Sequence, residues 1–388
     1  MRGKSRSVVR GVLLLQIIFT AGSCTAPLRY NSLDLALLPC EEGDAPVFFR
    51  AIEFDTNGRV AFDHQLVELR ERLKAAPIVT DLIFFIHGWN KNPSSAEIDY
   101  QNFLCRLHAR LRTIIGDEKR RGGLLVVGVF WPSTITNRNH EPEWLMPMSY
   151  YKIRDRADRI AETGLADLMS SIIPQVPTAQ QPSALRLHFI GHSFGARMLV
   201  RSFETLDRRQ QLTPLLLSAE NVNVVLLNAA MPPERFEWIN NAVKQARAHK
   251  APARFTEDTA SYLFNVHSFN DSANRILFPL ASVFNDDPAG CGAGACGVRN
   301  YPTVCIDDAG HILKPKVNAT ASAANSSLNG WNIDSTKIVF SHTDIYKGRV
   351  STLVADLLYN KDSRSEFPNA SNSDMPTDTR CQLGSNRQ

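Results

Sequence analysis

Gly191-His192-Ser193-Phe194-Gly195 sets a serine between two glycines in the pattern Gly-x-Ser-x-Gly. A hydroxyl so placed suits attack on a carbonyl carbon, provided a base takes its proton and fixed N–H groups receive the oxygen that turns negative. The chain offers each of these parts elsewhere. His87-Gly88-Trp89-Asn90 is a glycine-containing turn. Its Trp89 amide is the simplest second oxyanion donor beside the amide of Phe194. His342, in Ser341-His342-Thr343-Asp344, is the candidate general base, with His267 a weaker one. Asp271, in Ser268-Phe269-Asn270-Asp271, is the candidate acid that accepts the histidine ring N–H and stabilises the imidazolium. It also reads as a turn-forming residue. Glu234, in Met231-Pro232-Pro233-Glu234, is the rival acid.

These groups need elements to carry them. Leu185–Ile190 alternates and is apolar enough for a buried strand, and Ala196–Phe203 reads as a helix. The tight turn between them strains Ser193 and lifts its hydroxyl clear, with a helix N-terminus beneath. Strands are expected at Val47–Phe54, Asp81–His87, Leu124–Trp131, Val222–Leu227, Tyr262–Val266 and Lys337–Phe340. Helices fall between them: one from Asp63 with Leu66, Leu69 and Leu73 inward, one bearing Phe103 to Ile114, then Arg154–Ile173, Phe236–Ala248 and a last one reaching Leu358. Doubly apolar strands alternating with helices predict an α/β fold, a mostly parallel central sheet with helices on both faces.

Two stretches break the pattern. Residues 279–335, rich in Gly, Asn, Ala and Ser, are expected to be an irregular insert before the last strand, and the polar residues 361–388 a flexible tail. The apolar segment Trp144–Tyr151 lines a pocket mouth or packs on the core, and Phe278, Leu280, Val283 and Phe284 are candidates for an opposite wall.

The formal charge of +4 is concentrated in Arg2, Lys4, Arg6 and Arg10; without them basic and acidic residues stand equal at 39 each. A neutral body carries no footprint for nucleic acid. Those four residues open a segment, 1–23, that continues with the apolar run Val12–Phe19 and ends in Ala21-Gly22-Ser23, the layout of a secretory signal. Small residues before Cys24 also fit a lipoprotein cleavage box, imperfectly, with Ala21 where a larger aliphatic residue is usual. Ordinary cleavage and membrane attachment through a lipidated Cys24 both remain open. Either route implies a periplasmic, outer-membrane-anchored or secreted protein. Of the seven cysteines, the six after Cys24 suggest disulfides in an exported chain, with the pairing unassigned.

The elbow and the His-Gly-Trp-Asn turn, with acid and base following in the order Ser193, Asp271, His342, resemble the α/β-hydrolase superfamily. The likeness runs over about residues 45–358, within an expected catalytic domain of 30–360. More narrowly, the chain is similar to esterase/lipase-like serine hydrolases with a His-Gly-aromatic-Asn oxyanion loop and a Gly-His-Ser-x-Gly-Ala-Arg elbow. The resemblance implies hydrolysis of a small-molecule or lipid ester through an acyl-enzyme, with no metal or organic cofactor. A thioesterase, amidase or acyltransferase on the same triad, or a non-catalytic binding protein with this fold, are the alternatives.

Overall fold

Leu82, Phe84 and Ile86 point to one side of a strand and Ile83 and Phe85 to the other, and all five are completely buried. Because side chains alternate along a strand, this segment can only lie at the centre of a sheet covered on both faces. Each such phenylalanine or leucine contributes about 1.5–3 kcal/mol by leaving water.

The computed structural model describes residues 37–38, 40, 47–75, 79–115, 123–134, 146–176, 185–248, 261–271, 273–274, 293–298, 301, 303–313 and 328–359. The expected signal segment, Cys24, the polar tail, Trp144, Leu145, Phe278, Leu280, Val283 and Phe284 lie outside these. The strands are β1 (Leu37–Leu38), β2 (Val47–Glu53), β3 (Val79–Ile86), β4 (Gly123–Phe130), β5 (Arg186–His192), β6 (Asn221–Leu227), β7 (Ser261–His267), β8 (Thr303–Cys305) and β9 (Leu328–Asp334). The helices are α1 (Asp63–Ala75), α2 (Pro93–Ile115), α3 (Met146–Ile160), α4 (Ala166–Ile172), α5 (Phe194–Arg208), α6 (Leu212–Leu217), α7 (Pro233–Ala248), α8 (Ala293–Cys296) and α9 (Gly348–Tyr359). A π-helical turn, Ala161–Leu165, joins α3 to α4.

The strands form one sheet in the order β1-β2-β4-β3-β5-β6-β7-β9-β8, parallel throughout except for the two-residue β1. This is the α/β-hydrolase fold. One core packs α1 and α3 to α7 on one face, and the second packs α2 and α9 on the other. Parallel pairing puts every strand's carboxyl end on the same edge, where ligand sites of such sheets gather. There Ile86 pairs with Gly191, His192 with Leu227, Leu227 with Val266, and His267 with Asp334. A disulfide joins Cys40 to Cys105 on α2 across a sequence separation of 65. On the chain-entropy view it stabilises by about 4 kcal/mol. Cys296 and Cys305 are disulfide-bonded as well.

Three expectations are corrected. Lys337–Phe340 is no strand: Ile338 and Val339 are buried, but their amides both donate to Ser335 O within a turn. The strand is β9, inside the stretch expected to be irregular. Its Asn and Gly masked it. Asn332 is matched by Asn265, whose Nδ2 donates to it at 3.0 Å, and Gly330 leaves room for Tyr301, which a Cβ would meet at 2.6 Å. The same stretch supplies α8 and β8, so it extends the sheet. The helix expected from Arg154 begins eight residues earlier, at Met146.

Candidate active site

Ser193 stands between β5 and α5 with φ 54° and ψ −119°, a conformation rarely held by a residue with a side chain. The elbow is over-determined. Ser193 N donates to Leu227 O, and Ser193 O accepts from the amides of Ala196, Arg197 and Ala230. The flanking glycines are required by close approach: a Cβ on Gly195 would stand 2.3 Å from Ile86 O, and one on Gly191 would stand 2.6 Å from Ala196 Cα. Arg197, 3% exposed, anchors α5 by a two-pronged bond to Asp158 at 2.7 and 2.8 Å.

The structure brings Ser193, His342 and Asp271 together. His342 Nε2 lies 2.7 Å from Ser193 Oγ, and His342 Nδ1 lies 2.8 Å from Asp271 Oδ2. An ionised carboxylate only accepts, so Nδ1–H donates to Asp271 and Nε2 is left to accept the serine proton. Asp271 is fully buried while the His342 side chain keeps 17% of its surface exposed. Asn274 supplies the carboxylate's other donors, from its backbone N to Oδ1 at 3.1 Å and from Nδ2 to Oδ2 at 2.9 Å. Neighbouring loops are tied to one another: Ser268 Oγ donates to Val339 O at 2.7 Å, and Asn270 Nδ2 to Thr336 O at 3.0 Å. Two rivals fall elsewhere. Glu234 is exposed in the first turn of α7. His267 is buried against Phe269 and Asp334, and burial, opposed by the Asp334 charge, lowers its pKa to about 4.

The His-Gly-Trp-Asn turn packs directly on the elbow. A Cβ on Gly88 would come within 2.9 Å of Ser193 Cβ. Trp89, buried, sets its ring edge-on against Phe194 at 5.9 Å and Tyr150 at 6.1 Å, and Tyr150 also meets Phe194 at 5.2 Å. Tyr150, from the segment expected to line a mouth or pack on the core, does the latter. Among the described residues nothing accepts from the backbone N–H of Trp89 or Phe194. His87 explains the turn's posture. Its Nδ1–H donates to Gly88 O at 2.8 Å and its Nε2 accepts from Trp131 N at 3.3 Å. Burial above all, helped by the Lys91 charge and opposed by the Gly88 bond, lowers its pKa to about 3, so the ring stays neutral. In a trans peptide C=O and N–H point opposite ways, so binding Gly88 O turns the Trp89 N–H away from His87.

Among the described residues no group of three or more His, Cys, Asp and Glu side chains could hold a metal ion. Sequence reasoning missed Asn274, although Asp271-x-x-Asn274 spans one helical turn and carried the signal. It also missed the bonds His192 makes. No protein-family model matches this chain, and none of the curated proteins does either. The sheet, its flanking helices and the triad geometry are consistent with the α/β-hydrolase superfamily, and the arrangement suits serine-hydrolase catalysis in general.

Proposed function

We propose that this protein hydrolyses carboxylic esters through a covalent acyl-enzyme. The observation that carries the reading is the continuous path from Ser193 Oγ through His342 to the buried Asp271, at 2.7 and 2.8 Å, on a strained elbow. His342 Nε2 takes the hydroxyl proton as Ser193 Oγ attacks the ester carbonyl. The oxyanion lies between the amides of Trp89 and Phe194, each worth about a hundredfold or more in rate. His342 then protonates the departing alcohol and later activates the water that releases the acid. Asp271 keeps the ring in the productive tautomer throughout.

Export belongs to the same reading. It is supported by the basic-then-apolar start of the chain and by its disulfides, which persist in oxidising compartments.

The test is labelling of the full chain by a fluorophosphonate, which phosphonylates an activated serine. The parent should label, and Ser193→Ala should lose label and about 10⁶-fold in ester turnover with its melting temperature unchanged. Equal labelling of both proteins removes Ser193 as nucleophile. A panel of ester, thioester and amide substrates on one acyl group then identifies the preferred bond, with esters expected to lead.

A further inference from the structure

We propose that His192 and Tyr346 are positioning residues: a two-link hydrogen-bond relay clamps the loop carrying His342 onto the elbow carrying Ser193. The inference rests on the reading of Ser193 and His342 given above. His192 ends β5, immediately before the serine, and is wholly buried. Its Nε2 lies 3.0 Å from the backbone oxygen of His342, and its Nδ1 lies 3.0 Å from the Tyr346 hydroxyl.

The partners dictate where the protons sit. A carbonyl only accepts, so His192 Nε2–H donates to His342 O. Nδ1 is then bare and accepts the Tyr346 O–H. This tautomer satisfies both links; the other could still donate to the tyrosine oxygen but would turn a bare nitrogen on the His342 carbonyl. Burial first, then repulsion by any proton that His342 or His87 takes up and by the Lys91 charge, holds the His192 pKa well below its ordinary value, against a rise from the bond to His342 O. The ring therefore stays neutral, as the relay requires.

His342 is thereby gripped at both ends, its backbone by residue 192 and its imidazole by residues 193 and 271. The two imidazoles lie 4.9 Å apart, so the clamp acts beside the reacting atoms. Tyr346 is held in turn. It sits in the 3₁₀ turn Asp344–Tyr346, with Lys91 Nζ 5.0 Å above its ring, while Lys91 pairs with Asp99. The Gly88 amide faces the Tyr346 oxygen. Oxyanion turn, elbow and base loop thus share one set of bonds, which explains why the residue between Gly191 and Ser193 carries a two-nitrogen ring.

Three variants of the full chain test this. His192→Met fills the space without hydrogen bonds, His192→Gln offers both a donor and an acceptor, and Tyr346→Phe keeps the ring and loses the hydroxyl. Two quantities are read: the rate constant of fluorophosphonate labelling at Ser193, and the ring ¹⁵N resonances of His192. The Met variant should label about 100-fold more slowly at unchanged half-saturation, with Gln recovering to within about tenfold of the parent. Tyr346→Phe should cost about tenfold. In the parent, the resonances should show a neutral ring protonated on Nε2 from about pH 5 to about pH 9. The relay is overturned if Met labels as fast as the parent, if Met and Gln fall equally, or if the His192 proton sits on Nδ1. A parent that takes no label defeats the triad reading instead, and the ring resonances then decide the relay alone. Should His192→Met fail to fold, Tyr346→Phe and the parent spectrum decide.

Discussion

Among the described residues, two buried aspartates are hydrogen-bonded to histidines at opposite edges of one sheet, and one of those histidines faces a nucleophile. At the carboxyl edge His342 meets Asp271 at 2.8 Å; at the amino edge His188 meets Asp81 at 3.1 Å. The second pair is closed on every side. Asp81 also accepts from Arg186 Nε and Nη2 at 2.8 and 2.7 Å and from the Tyr359 hydroxyl, and Asn223 Nδ2 lies 3.0 Å from His188 Nδ1. Burial alone would raise the Asp81 pKa, but the His188 bond and the Arg186 charge outweigh it and hold the carboxyl far below its usual range. His188 is completely buried with both nitrogens engaged, whereas His342 keeps part of its ring in solvent and one nitrogen on a serine hydroxyl. A histidine–carboxylate pair is thus a part that can fasten the last helix to the sheet or move a proton. What differs is whether the second nitrogen meets a reactive group and whether the ring keeps contact with solvent.

Substitutions should separate the two pairs cleanly. Asp271→Asn should lower ester turnover about 10⁴-fold, through loss of the tautomer, with melting little changed. Glu234→Gln, measured beside it, should leave the rate alone; a loss there and none at Asp271 reverses the assignment of the acid. Asp81→Asn should do the opposite. It strands the Arg186 charge and weakens the anchor of α9, costing about 2–4 kcal/mol in urea unfolding with turnover retained. Similar kinetic defects from both substitutions would mean that both pairs act on the reaction.

Acid should weaken the fold through other histidines at the carboxyl edge. His87 and His267 have pKa values lowered from 6.5 to about 3 and about 4. Below pH 6.5 the unfolded chain takes up protons that these buried rings refuse, so stability falls as pH drops through this window and is complete only above it. Each ring contributes up to about 1.4 kcal/mol per pH unit. Urea midpoints between about pH 4.5 and about pH 7.5 should show this slope, and His267→Asn should reduce it by close to one proton. Asp81 adds nothing there. Its depressed pKa keeps its contribution intact above the ordinary carboxylate range, and it is lost only as pH falls below that range. The smallest effect is Tyr359→Phe, about 1 kcal/mol of stability without a kinetic change. A larger loss would show that this hydroxyl holds α9 more firmly than one neutral donor can.

Much of the site was readable from residue order because its parts are local. The elbow needs small residues beside the serine within five positions, and the turn after β3 needs Gly88 to come close to Ser193. Strands β3 to β7 showed as apolar runs because both of their faces are buried. β9 did not, since its Asn332 is matched by partners on β7 and in the loop after α8, far off in the chain. Ile338 and Val339 misled for the converse reason, being apolar residues that enter the core from a turn. The roles of His192 and Tyr346 were hidden because each needs a partner distant in sequence.

Local composition and spacing established an alternating fold, a strained serine turn and a short set of acids and bases. They ranked Asp271 over Glu234 and His342 over His267 only by position, because each of these lies at or after a strand end or opens a helix. Ser193 and His342 are 149 residues apart and His342 and Asp271 are 71 apart. Contacts at such separations exist only once parallel strands have been stacked and both faces sealed. The register of β5, β6, β7 and β9 then puts one imidazole within hydrogen-bond reach of the hydroxyl and one carboxylate within reach of that imidazole, and leaves the others outside.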